Sequence, residues 1–212
     1  TVTTVRRIDG MRMICTIFCD RAKDLVTSLS TKTTAASAST SSASSTRELE
    51  EVLVKAVRTL ANLSLEPTLG TRLSRDDTFV SSLLSVLVAT TNVEMPTKSA
   101  SERSTREELM MNVVSSLSNI SYYGGNSILE HGKDISRILV RLLTLGVSGS
   151  SSGTVQESKT NHTSSTGMDE FHGWLSLECA RVYGNFSRTG KRLVIVVFFF
   201  NKKHKSNVLT LF

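Results

Sequence analysis

Cys15 and Cys19, in "ICTIFCD", stand four residues apart. On a helix that spacing puts both thiols on one side, where they could share a soft metal ion. A structural zinc site needs four ligands, and no histidine or second cysteine pair lies nearby, so the two read as core cysteines. "GSSSG", Gly149 to Gly153, has the form of a nucleophile elbow around Ser151, but it lies in a serine run with no strand before it to hold a strained turn. Cys179 follows His172 by seven residues; nearness along the chain does not make a nucleophile and base, and packing accounts for Cys179 without more. "TGKR" lacks both the upstream glycine spacing and the hydroxyl of a phosphate-binding loop. The pattern N-x-S/T occurs at Asn62, Asn119, Asn161 and Asn185, three of them inside expected packed helices, so it reads as an accidental match to a glycosylation signal. No catalytic residue, metal or cofactor is expected, and the chain reads as non-enzymatic.

Three of those asparagines carry the organising pattern. The chain reads "LVKAVRTLANLS" around Asn62, "MMNVVSSLSNIS" around Asn119 and "SLECARVYGNFS" around Asn185. Small or β-branched apolar residues sit six and five positions before each asparagine: Ala56 and Val57, Val113 and Val114, Cys179 and Ala180. A larger one sits two before (Leu60, Leu117, Tyr183) and another one after (Leu63, Ile120, Phe186). These offsets fall on one face of an α-helix, whereas a strand would scatter them. Leu60, Leu117 and Tyr183 are therefore expected in one adjoining core.

The asparagines recur 57 and 66 residues apart. Removing the low-complexity insertions, 15 residues at 91–105 and roughly 24 around 148–168, leaves about 42 residues in each interval, the period of a helical solenoid repeat. After each asparagine helix Pro67 or Gly124-Gly125 breaks the pattern. A second helix follows, on Phe79, Leu83, Leu84 and Leu87 in one copy and Ile135, Ile138, Leu139, Leu142 and Leu143 in the next. Each unit is expected as helix, turn, helix, and one such pair cannot cover its own apolar stripe, so the copies must stack. Residues 1–30, with Met13, Ile14, Ile17, Phe18, Ala22 and Leu25 at helical spacing, read as a degenerate or partial preceding repeat. A hydroxyl-rich linker at 31–46 is expected to be flexible. The repeats fill 47–190, and 191–212 is an atypical basic tail without repeat pattern.

The chain has 212 residues, 39% hydrophobic and 6% aromatic, with two prolines, a composition that argues against a turn-rich β-sandwich. Of the formal +6, the tail supplies +5 through Lys191, Arg192, Lys202, Lys203 and Lys205. The near-neutral body has no phosphate-tracking stripe, which disfavours nucleic acid as partner and leaves a tail-mediated contact as the alternative. Three scattered cysteines form no disulfide framework and fit a reducing, cytoplasmic setting. No leading segment pairs a basic start with a long apolar core, and the longest apolar run, "LVIVVFFF", is far short of the roughly 20 residues of a membrane-spanning helix.

"TLANLS", "SLSNIS" and, more loosely, "VYGNFS" resemble the last helix of armadillo repeats, which ends in a similar small-apolar pattern with asparagine. The resemblance covers about two full repeats, Arg47 to Val147, and half of another. More narrowly, "NVVSSLSNISYY" and "CARVYGNFSR" are similar to an armadillo-repeat family associated with ciliary and sperm-flagellar axoneme assembly. The resemblance implies an all-α, right-handed armadillo-like solenoid whose asparagine helices line a concave surface, and a scaffold or adaptor that binds protein partners there. Steps of four beside the buried face then give a partner-binding stripe of Val54, Arg58 and Asn62; Met111, Ser115 and Asn119; Leu177, Arg181 and Asn185. In peptide-binding members the asparagine holds an extended partner by its backbone; a purely structural bond to a neighbouring loop or turn is the competing role. Nuclear-import members carry tryptophan four residues before the asparagine, where this chain has Arg58, Ser115 and Arg181. Two arginines there disfavour basic cargo and favour an acidic or extended partner segment.

Overall fold

Proline lacks a backbone donor, and this chain places Pro67 where none is needed, at the first position of a helix. In the computed structural model, which describes residues 2–34, 40–92, 100–148, 166–188, 195–199 and 207–211, Glu66 caps that helix: its Oε2 accepts from Leu69 N at 2.8 Å. The elements in order are α1 (Val2–Thr34), α2 (Thr40–Leu63), α3 (Pro67–Leu73), α4 (Asp77–Asn92), α5 (Ala100–Ser121), α6 (Asn126–Glu130), α7 (Gly132–Ser148), α8 (Thr166–Arg188), β1 (Ile195–Phe199) and β2 (Asn207–Leu211). The body is an all-helical, armadillo-like α-solenoid. The strands form an antiparallel pair running from Ile195 opposite Leu211 to Phe199 opposite Asn207.

Two layers make the solenoid. The asparagine helices α2, α5 and α8 pack side by side in one, α1, α4 and α7 in the other, and the short helices α3 and α6 join the layers. The expected helix–turn–helix unit thus contains a third, short helix after each break. Pro67 opens α3, and Gly124, at φ 59°, makes the left-handed turn before α6. These joints interlock between copies: Ile128 N donates to Ser74 O at 3.2 Å and Ser127 Oγ to Arg75 O at 2.8 Å. Gly125 has no room for a side chain, because a Cβ there would collide with the Ser74 backbone.

Helix α1 packs against α2 and α4, as α4 packs against α5 and α7. Helix α1 thus extends the layer of α4 and α7 and packs directly on the first asparagine helix. The buried stripe of α1 is Met11, Cys15, Phe18, Ala22, Leu25 and Leu29, while Met13 and Ile17 are exposed. Alternating steps of three and four from Met11 trace that seam, and the i, i+4 pair Met13/Ile17 lies off it. The linker expected at 31–46 is helical at both ends, with only 35–39 outside the described residues. Serine costs a helix only a few tenths of a kcal/mol and extending a formed helix needs no new nucleus, so hydroxyl-rich ends extend helices that packing has already anchored. Residues 93–99 and 149–165, within the two expected insertions and including Ser151 and Asn161, also lie outside the described residues.

A single core runs from Met11 on α1 to Phe186 on α8. Leu60 and Leu117 are fully buried in it, and Tyr183 packs half-buried against it, its hydroxyl donating to Ser136 O at 3.1 Å. Inside the repeat interface Arg106 Nη2 and Nε reach Glu50 Oε1 at 2.5 and 3.0 Å, with both side chains almost completely buried.

Candidate protein-interaction surface

The repeated asparagines tie one copy to the next. Asn119 Nδ2 donates to Ala61 O on α2 at 3.0 Å, and Asn185 Nδ2 donates to Ser118 O and Ser121 Oγ on α5 at 2.9 and 3.0 Å. Beneath each asparagine, the serine two residues later folds back on the carbonyl three before it: Ser64 on Ala61, Ser121 on Ser118 and Ser187 on Gly184. The carbonyls that receive the amides can only accept, so the nitrogen end of each amide faces inward. The Oδ1 atoms of Asn119 and Asn185 have no donor among the described residues. Asn62, on the first helix of the layer, is exposed, and its side chain makes no hydrogen bond among the described residues.

Along the same layer lies a depression of about 440 Å³ that brings together Asn119, Arg181 and Asn185 with Leu65, Tyr122 and Tyr123. Tyr122 and Tyr123 meet edge to face at 5.4 Å between centroids. Tyr123 Oη donates to Leu65 O at 3.3 Å, and its burial together with Glu66 holds its hydroxyl pKa above the usual range. Arg188 lies 3.9 Å over the Tyr122 ring and donates to Tyr122 O at 2.5 Å. Exposed aromatic rings and arginine guanidinium groups are enriched at protein-binding surfaces.

The rest of the expected stripe divides. Val54 is buried in the core and Met111 and Ser115 are half-buried, whereas Leu177 is 58% exposed at the edge of α8. Arg58 is ion-paired with Glu108 of the next copy, and Arg181 Nη1 bonds Glu178 Oε1 at 2.7 Å. Each arginine thus already faces a carboxylate within the chain. Leu65, Tyr122, Tyr123 and Arg188 were outside the expected stripe; the "YY" directly after "SLSNIS" is the sequence signal that points to them.

The residues weighed for chemistry sit elsewhere. Cys15 and Cys19 are buried on α1, where Cys19 Sγ donates to Thr78 O at 3.8 Å and the closeness of the two thiols pushes Cys15 up and holds Cys19 below the ordinary thiol range. Burial pushes the Cys179 thiol up to about 12, and His172 packs edge-on against Phe171 at 5.3 Å. Among the described residues no three potential ligands converge on a metal position, and no helix is long and apolar enough to cross a membrane. A larger cleft of about 820 Å³ opens in the other layer, lined by α1, α4 and α7 and bordered by His131, which bonds Asp77 at 2.9 Å; it holds none of the stripe residues.

Over 143 residues the chain is 30% identical to Armadillo repeat-containing protein 2 of Mus musculus and of Bos taurus, and 31% identical to that of Homo sapiens. Each alignment takes in 66% of this chain, and the chain spans 12% of the length of each relative. No protein-family profile matches the chain. No solved structure matches it either.

Proposed function

We propose that this armadillo-like solenoid is a non-enzymatic scaffold that holds an extended protein segment along the α2–α5–α8 layer. The observation that carries the reading is the depression where Asn119 and Asn185 meet Tyr122, Tyr123 and Arg181. With their nitrogens turned into the repeat interface, the two asparagines present carbonyl oxygens to backbone N–H groups of a partner, and the tyrosines supply apolar area for its side chains. The partner is selected by backbone and aromatic contacts more than by charge, since Arg58 and Arg181 are paired within the chain. Peptides selected on the chain from a random display library test this. Tyr122→Ala is expected to weaken them at least tenfold, and Val88→Ala, in the opposite cleft, to leave them unchanged; the reverse ranking would overturn the reading.

The setting we infer is assembly or upkeep of the ciliary or flagellar axoneme, with the cytoplasm as the site of synthesis and loading. It is supported by the similarity of "NVVSSLSNISYY" and "CARVYGNFSR" to that armadillo-repeat family and by the likeness to Armadillo repeat-containing protein 2. A tagged protein expressed in ciliated cells is expected at the cilium or its base during assembly. Its absence from both at every stage would leave a general adaptor role in place of the ciliary one.

A further inference from the structure

The outer face of α4 carries no charge. From Thr78 to Asn92 no side chain of the helix is charged, although Ser85, Val88 and Asn92 are exposed and Ser81 and Ala89 half-buried. A surface helix ordinarily turns charged residues to water, and both neighbours do so. Helix α1 exposes Asp20, Arg21, Lys23 and Asp24, and α7 exposes Lys133, Asp134, Arg137 and Arg141. The neutral face of α4 is the floor of the cleft of about 820 Å³, with Val26 and Leu29 of α1 on one side and Ile138 and Arg141 of α7 on the other. An uncharged centre within a charged rim is the anatomy of a protein-binding surface. Floor and walls are three successive helices of one layer, so a repeat added at either end of the stack would extend the layer beyond α1 or α7 and leave the cleft between them as it is.

The floor has little hydrogen bonding left to offer, in contrast to the asparagine layer. Ser85 Oγ donates to Ser81 O and Thr91 Oγ1 to Leu87 O, each at 2.8 Å, and Ser81 Oγ lies 3.3 Å from His131 Nε2. The backbones around the cleft are helical and bond within themselves. An extended segment laid there would find no partners for its own N–H and C=O groups, whereas a helix arrives with its backbone already paired. From Ser81 to Asn92 the floor runs about 17 Å, the length of about three helical turns.

Charge decides the kind of helix. On the rim Arg137 pairs with Asp134 at 2.7 Å and His131 with Asp77 at 2.9 Å. Arg141, exposed on the same wall, has no carboxylate partner among the described residues. We propose that the cleft receives an acidic amphipathic helix of a protein partner, its apolar stripe seated on Leu84, Val88 and Ala89 and one of its carboxylates on Arg141. This site is separate from the asparagine layer and does not depend on it.

The test is a display library of alanine-rich helices, each with one leucine stripe and with Glu, Gln or Lys at the remaining positions, selected on the full chain. The selected helices are expected to carry more Glu than Lys beside the stripe and to lose on the order of tenfold in affinity on Val88→Asp. Arg141→Glu should weaken them too, and exchanging the flanking Glu for Lys in the peptide should restore binding to that variant, a rescue that a misfolded chain would not give. Both substituted side chains are exposed, so the fold should persist, and circular dichroism checks it. Tyr122→Ala should leave these helices bound as before, which keeps this result distinct from that for the asparagine layer. A library that yields no binder, binders rich in Lys, or binders indifferent to Val88→Asp would overturn the proposal. Self-association of the chain alone that disappears on Val88→Asp would overturn it as well, by seating a second copy in the cleft.

Discussion

At the scale of single residues, an asparagine in a helix costs propensity, a cost that a hydrogen bond from its amide can offset. Asn119 and Asn185 bond carbonyls of the preceding helix, whereas Asn62 has no such partner. Asn119→Ala is expected to lower stability by about 1 kcal/mol in denaturant unfolding, and Asn62→Ala by less than about 0.5 kcal/mol. The recurrence of the asparagines was legible from their spacing. Their direction was not, because one helix's sequence does not say which carbonyl of another lies opposite.

At the scale of elements, the apolar periodicities of α4, α5 and α7 read through to the structure because each helix buries one stripe, and the residues singled out on α4 are all buried. The short helices α3 and α6 escaped that reading, since seven and five residues are too few to show a period. The capping signal of α3, Glu66 before Pro67, is local chemistry rather than pattern. Helix α1 was legible as a helix but not in its facing, because Met13 and Ile17 are apolar and yet exposed. The bond between elements hardest to anticipate is the Glu50–Arg106 pair, two charges sealed between α2 and α5. Arg106→Ala strands a buried carboxylate and is expected to cost about 3–5 kcal/mol, while Glu50→Leu with Arg106→Met should recover most of the loss. Equal losses from the single and double replacements would show that the pair's charge is not what matters there.

At the scale of the whole molecule, each copy packs against its neighbours in the stack, so stability accumulates along it. The basic tail stands apart from that logic. Removing residues 191–212 takes away five cations, Lys191 to Lys205, without touching the layered helices. The truncated chain is expected to bind a display-selected peptide as tightly as before, measured by calorimetry; a large loss would transfer the binding role to the tail. The account rests first on the asparagine helices lying side by side in register. Nuclear Overhauser contacts from the side-chain amides of the three asparagines, recorded on dilute isotope-labelled protein, test that most directly. The account predicts contacts from Asn119 to Ala61 and from Asn185 to Ser118 and Ser121, slow exchange of both amides, and none of this for Asn62. Amides of Asn119 and Asn185 that exchange as fast as that of Asn62 and show no contact across helices would contradict it.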